Sequence, residues 1–382
     1  MVSEVTKYLS ETIGERRAGT EADKKATEYI ARKMKEIGLE VEIQKFKFLG
    51  WEMTRRPMLE LVEPQQKELP SGVFMFSEST PEGGITGKLE YIGIMPFIPK
   101  LFEWPKYAVV DDAGNHLGYI IGHIDGPAIN FTLMEIGKTY GCAPYIMTDQ
   151  ETHEYFQEKL AAGEEIRVRI DTAGKLVPGL ETQNVIGTLR GSALPDEEII
   201  VCAHHDSTYE SHGANDNASG VDAVLRVAKN LIEKGGTKKT VKFITFAAEE
   251  YLFFGSYYYV KTLKEKDPSS IARIKNVVNL DMVGVGEYLW VWVAPDSFRH
   301  QVDEALKESI KDEFDIQWNP ELLPASDHWP FFEQGIPSVM LIFWPHEQYH
   351  LSTDMITEID DDKIEKTAKA ATAIAERLAG VN

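Results

Sequence analysis

Residues 197–220 read EEIIVCAHHDSTYESHGANDNASG. The stretch opens on an apolar run, EEIIVCA, which has the length and composition of a buried strand. It closes on a glycine, after which Val221, Val224, Leu225, Ala228, Leu231 and Ile232 continue at helical spacing. Between strand and helix, residues 202–220 hold three histidines, two aspartates and two glycines. A polar loop of that composition can be plain solvated surface. The deciding question is whether other parts of the chain bring matching chemistry to the same end of a sheet.

Downstream, strands and helices alternate. VKFITFA (241–247), VVNLDMV (277–283), YLWVWVA (288–294) and PSVMLIFW (337–344) read as strands, with helices near 297–311 and 361–379. Continuous apolar strands alternating with amphipathic helices predict an α/β domain whose sheet is covered on both faces. Upstream, residues 19–48 predict a helix and then a strand. Thr20 would cap the helix, Ala26, Ile30, Met34 and Ile37 form its apolar stripe, and Gly38 ends it.

Between 46 and 178 the texture changes. Prolines and glycines are frequent, as in PEGGITGKLEYIGIMPFIPK (81–100), strands are short, and few residues with metal-ligand character lie near one another. EIGKTYGCAPYIMTD (135–149) and EYFQEKLAAGEEIRVRID (154–171) read as helix, strand, helix, strand. The expected organisation is a discontinuous domain, 1–45 with 179–382, interrupted by a β-rich insert, 46–178.

Composition narrows the function. With 40 basic and 61 acidic residues the net charge is −21, which disfavours a nucleic-acid partner and mildly favours cationic ligands such as free amines. No apolar run approaches a membrane span, and MVSEVTKYLSETIGERR lacks the core of an export signal, so the cytosol is the expected location. Cys142 and Cys202 permit one disulfide but no thiolate-rich zinc site, and Cys202 is expected to pack as a buried thiol.

The chemistry collects at strand ends. His204 and Asp206 follow EEIIVCA, and Asp216 ends the loop. Glu249 and Glu250 follow VKFITFA, Asp281 follows VVNL, and His350 comes shortly after PSVMLIFW. Open α/β sheets place their sites at the carboxyl ends of strands. Two imidazoles and three carboxylates suit two divalent cations. With His204, Asp216, Glu250, Asp281 and His350 as ligands, three negative charges meet four positive ones. The remainder favours a bound hydroxide and stabilises an oxyanion. Mixed nitrogen and oxygen donors suit zinc best, with cobalt or manganese as substitutes.

AHHDS, GANDNASG, FAAEEYLFFGS, NLDMVG, SDHWPFFEQGIPSVML and YHLSTD occur in this order. In these motifs the chain resembles the M28 co-catalytic zinc aminopeptidases, over roughly residues 15–45 and 182–382. The 46–178 insert is similar to a protease-associated domain. The resemblance implies a mixed, mostly parallel sheet sandwiched by helices, two zinc ions per chain, and peptide substrates with a free N-terminus. It implies that His204 and Asp281 bind one zinc, Glu250 and His350 the other, and that Asp216 bridges both. Glu249 would be the general acid/base, Asp206 would orient the His204 imidazole, and Tyr349 would stabilise the oxyanion. It also implies a cis Asp216–Asn217 peptide bond. Relatives with other activities include glutamate carboxypeptidases, the one-zinc glutaminyl cyclases and receptors that have lost the ligands. Retention of all five ligands with Glu249 favours the dinuclear peptidase.

Other conspicuous residues have plainer readings. His205 and His212 are expected to stand outside the ligand set, because the H-x-D spacing selects His204. His328 is expected to be structural and Asp327 to bond nearby backbone. Tyr251, Phe253, Phe254, Trp329, Phe331 and Trp344 can line a pocket, with core packing the expected role for most.

Overall fold

The computed structural model describes residues 3–98, 100–133, 143–310 and 313–382. The helix expected within 135–143 and Cys142 lie outside the described residues. Two compact units emerge, one of Met1–Phe48 with Leu180–Asn382 and one of Leu49–Gly179.

The larger unit is built on one sheet. Its strands include β1 (Arg167–Leu189, which enters from the other unit and also pairs with the strand Glu40–Glu63), β2 (Leu194–His204), β3 (Lys239–Phe246), β4 (Ile274–Leu280), β5 (Tyr288–Ala294), β6 (Ile316–Asn319) and β7 (Ser338–Trp344). They lie in the order β6-β5-β7-β4-β2-β3-β1. The neighbours β2/β3, β2/β4, β4/β7 and β5/β6 are parallel, while β1/β3 and β5/β7 are antiparallel. The sheet is mixed and mostly parallel, as expected.

Side-chain alternation explains why both faces are covered. On β2, Ile199, Val201 and Ala203 point into one core with helices α1 (Glu21–Ile37), α2 (Gly220–Glu233), α4 (Asp296–Ile310) and α5 (Asp361–Ala379). Ile200 and Cys202 point into the opposite core with Tyr259 and Val260 of α3 (Phe254–Lys266) and with Phe331. A strand buried on both faces has no polar position to spare. Polar chemistry therefore waits until the strand ends at His204. α1 starts and stops as its sequence predicts: the Thr20 side chain accepts from the Asp23 N–H, and Gly38 adopts the left-handed conformation.

The smaller unit is β-rich. Ile85–Ile98 and Phe102–Val110 form an antiparallel hairpin, followed by His116–Gly122, which pairs in parallel with Tyr145–Thr148. The helix Gln150–Ala161 is capped by Asp149, and its Phe156 packs with Tyr107, Val109, Ile120, Ile146 and Val168. Among the described residues, no helix is long and apolar enough to cross a membrane.

Candidate metal centre

Four mutually parallel strands, β2, β3, β4 and β7, deliver their carboxyl ends to one place. His204 is the last residue of β2, Asp281 follows β4 directly, Glu249 and Glu250 lie just past β3, and His350 follows β7 after a short loop. Asp216 comes from the turn before α2, where the Asp216–Asn217 peptide is cis. Ala248, Leu252, Phe253, Met282 and His350 have φ of 57°, 73°, 59°, 54° and 58°. Positive φ is uncommon for residues with side chains, and such outliers gather at functional sites.

The side chains converge on Asp216. Its Oδ1 lies 3.1 Å from His204 Nε2, and its Oδ2 lies 3.4 Å from His350 Nε2. His204 Nε2 also faces Asp281 Oδ1 at 3.3 Å, and His350 Nε2 faces Glu250 Oε2 at 3.2 Å. One carboxylate thus joins a His204–Asp281 pair to a His350–Glu250 pair. Glu249 groups with His204 and Asp281, their donor atoms lying within 4.8 Å of one another. All six side chains are buried.

These residues fit metal ions on geometric grounds. His204 Nδ1 lies 3.2 Å from the Asp206 carbonyl, which makes Nδ1–H the donor and leaves the Nε2 lone pair facing two carboxylates. Buried acceptors that face one another at this range need either a shared proton or a metal cation between them. Zinc bound tetrahedrally at about 2.0–2.1 Å sets its ligand atoms about 3.3 Å apart. The four contacts span 3.1–3.4 Å.

Without metal, protons do part of the balancing. Burial opposes charge on His350, yet Glu250 and Asp216 raise it to about 10. Burial likewise opposes charge on His204, and Glu249 with Asp281 holds it well above the usual imidazole range. Burial pushes Glu249 well above the usual carboxylate range, with Asp281, Asp327 and Glu250 adding to the effect and His204 opposing it. Asp216 is the exception, since both imidazoles hold it far below its ordinary value against its burial.

A further layer holds these groups in place. Asp206 is fully buried; its carboxylate stands 3.7 Å from His204 Nδ1 but accepts the backbone N–H of Glu249 at 3.2 Å and of Glu250 at 3.4 Å. Ser326 donates to Asp281 Oδ2 at 2.7 Å and accepts from Asn279 Nδ2 at 2.7 Å. Asp354 accepts the N–H groups of Asn215 at 2.8 Å and Asp216 at 3.0 Å, and burial raises its carboxyl to about 7. Arg16 is fully buried and donates to three carbonyls of the loop 205–213. The sequence reading missed Arg16, Ser326 and Asp354. Asp354 lies inside YHLSTD and Ser326 inside SDHWPF, so two of the three had a visible signal.

Other expected residues take their places. Tyr349 is half-buried and stacks on the His350 ring, with centroids 3.8 Å apart. His205 turns away to Asp23 of α1 at 3.2 Å, and His212 Nδ1 approaches the Ser10 carbonyl at 3.0 Å. His328 Nε2 meets the Leu323 carbonyl at 2.8 Å, and burial lowers the ring to about 4. Asp327 departs from expectation, since its buried carboxylate oxygens receive no backbone hydrogen bond. Phe331 is core, packed against Phe246 and Tyr259. Cys202 is a free, buried thiol that donates to Asn279 Oδ1 at 3.4 Å.

The chain is similar to a known family and to proteins of known structure. Residues 184–375 match the family model described as peptidase family M28. Aminopeptidase YwaD of Bacillus subtilis is 27% identical, over 96% of this chain and 81% of the relative. The solved structure of a zinc aminopeptidase from Bacillus subtilis superposes with a TM-score of 0.71 at 25% identity, covering 98% of this chain and 93% of the other. A peptidase M28 precursor from Shewanella amazonensis shares the fold, with a TM-score of 0.77 at 17% identity over 98% of this chain and 92% of the other.

Proposed function

Because the chain belongs to peptidase family M28, we propose that it is a dinuclear zinc aminopeptidase, which removes N-terminal residues from peptides. The observation that carries this reading is the Asp216 carboxylate, whose two oxygens face His204 and His350 separately. A carboxylate shared by two donor sets is the arrangement two-metal hydrolases use. The names of the Bacillus subtilis relatives, an aminopeptidase and a zinc aminopeptidase, point the same way.

In this reading His204 and Asp281 would hold one ion, His350 and Glu250 would hold the other, and Asp216 would serve both. Cobalt or manganese can substitute. When bound, the zinc pair supplies Lewis acidity that makes a water easier to deprotonate and polarises the scissile carbonyl. Glu249 lies beside His204 and Asp281, its acidity already weakened by burial, so it is suited to take a proton from water. It then returns that proton to the leaving amine. Asp206 keeps Glu249 aimed, through the backbone N–H it accepts. Tyr349 beside His350 donates its hydroxyl proton in a hydrogen bond to the oxyanion. The carboxylates that crowd the centre also recognise a substrate ammonium, and this places the scissile bond one residue away. The unit Leu49–Gly179 is read as a protease-associated-like insert.

The test compares kcat/KM for a leucyl-anilide and its N-acetyl form, with and without chelator. Cleavage of the free amine alone, lost on chelation and restored by zinc, supports the reading. Equal rates for both substrates would make the protein an endopeptidase or amidohydrolase.

A further inference from the structure

Arg16 lies nearly two hundred residues upstream of the metal-bearing loop in sequence, yet it is built into that loop. Its guanidinium is 0% exposed. Nε donates to the His205 carbonyl at 2.6 Å, Nη1 to the His212 carbonyl at 2.6 Å and Nη2 to the Gly213 carbonyl at 2.7 Å. A longer contact runs from Nη1 to the Gly14 carbonyl at 3.4 Å. Its backbone N–H donates to Ser207 Oγ at 3.1 Å, and Ser207 Oγ donates to the Ser211 carbonyl at 3.1 Å. Gly213 shows how tightly the guanidinium is seated. Its φ is +57°, and a Cβ there would stand 2.9 Å from an Arg16 Nη and 2.4 Å from the Asp216 carbonyl.

The three strong acceptors are not random positions. His205 is the residue after His204, while His212 and Gly213 stand just before the turn that carries Asp216. One rigid fork therefore grips the loop where it leaves His204 and where it approaches Asp216. Burial holds the guanidinium below its ordinary value, while the charges of Asp354, Asp206, Asp216 and Glu250 work against that shift. Among the described residues no carboxylate lies at hydrogen-bond distance from this guanidinium, so it offsets the anionic charge of these four groups without occupying a ligand position.

We infer that Arg16 is a positioning residue for the metal centre, fixing the separation of His204 from Asp216 by holding both ends of the loop between them. The inference rests on the dinuclear reading given above. Lysine cannot replace it, because a single ammonium nitrogen cannot reach three carbonyls spread across the plane of a guanidinium.

The test uses the full chain carrying Arg16→Lys. Zinc affinity is measured by competition with a chromogenic chelator, the visible spectrum is recorded on the cobalt-loaded protein, and far-UV circular dichroism reports the fold. The expected result is a folded variant whose zinc affinity is lower by about 10–100-fold, the range for groups that orient metal ligands, and whose cobalt spectrum is altered. A merely structural Arg16 would lower thermal stability equally with and without zinc and leave affinity and spectrum alone. That outcome overturns the inference while leaving the functional reading intact, whereas a wild-type protein that binds no zinc defeats the functional reading first. If Arg16→Lys does not fold, Ser207→Ala decides, because it removes the hydroxyl that links the Arg16 backbone N–H to the Ser211 carbonyl of the loop. A zinc affinity weaker than wild type by more than about twofold supports the inference. An affinity within about twofold of wild type, below the range seen for such groups, overturns it.

Discussion

The backbone N–H of Glu249 donates to the Asp206 carboxylate at 3.2 Å, and the neighbouring Glu250 N–H reaches the other oxygen at 3.4 Å. The glutamate pair that follows β3 is thus held from the loop that follows β2. Asparagine at 206 presents one acceptor oxygen where two are used and aims an NH2 group at a donor. Asp206→Asn is expected to lower kcat or zinc affinity by about 10–100-fold, as for other groups that orient metal ligands. Steady-state kinetics with parallel zinc titration checks this, and wild-type values for both would remove Asp206 from the account.

Glu249 and Glu250 are adjacent in sequence but have different surroundings. Glu250 faces His350 at 3.2 Å, while Glu249 groups with His204 and Asp281. Glu249→Ala should therefore keep its metal and lose about 10²–10⁴ in kcat, the usual contribution of a general base. Glu250→Ala should instead lose metal. Elemental analysis beside kinetics separates the two, and exchanged phenotypes would reverse the assignment.

The strand-to-helix junction at 197–220 was readable because its signals are local. Apolar run, polar loop and helical spacing follow one another along the chain, and β2, α2 and the positions of His204 and Asp216 came from them. The pairing of Asp206 with the Glu249 and Glu250 backbone was not readable, because a backbone donor leaves no mark in residue type. Arg16 was hidden for another reason: a lone arginine beside Arg17 near the N-terminus looks like surface charge until the fold buries it. Asp327 reads in sequence as a partner for nearby backbone, and only the packing shows a buried carboxylate, raised to about 7 chiefly by that burial.

The acid–base balance of the centre predicts opposite responses to pH with and without zinc. In the metal-free protein Asp354 and Asp327 are raised from 3.8 to about 7, and His350 from 6.5 to about 10. Raised groups stabilise the fold fully below their unfolded values and lose that contribution as pH rises through the folded ones. Asp216, depressed, gives a contribution that is already complete above its ordinary value of 3.8. Zinc needs neutral imidazoles and binds more tightly as pH rises. The gap in Tm between zinc-loaded and metal-free protein should therefore widen from about pH 5.5 to about pH 8. Thermal melts across that range check it, and a constant or narrowing gap would contradict it.

The central claim is that Asp216 serves two metal positions at once, His204 with Asp281 on one side and His350 with Glu250 on the other. The most direct measurement is elemental analysis of purified wild-type protein and Asp216→Asn, after dialysis against buffered zinc. Two zinc ions per chain are predicted in active wild type, with both positions weakened in the variant. One zinc in fully active wild type, or the loss of a single ion in Asp216→Asn, would contradict the account.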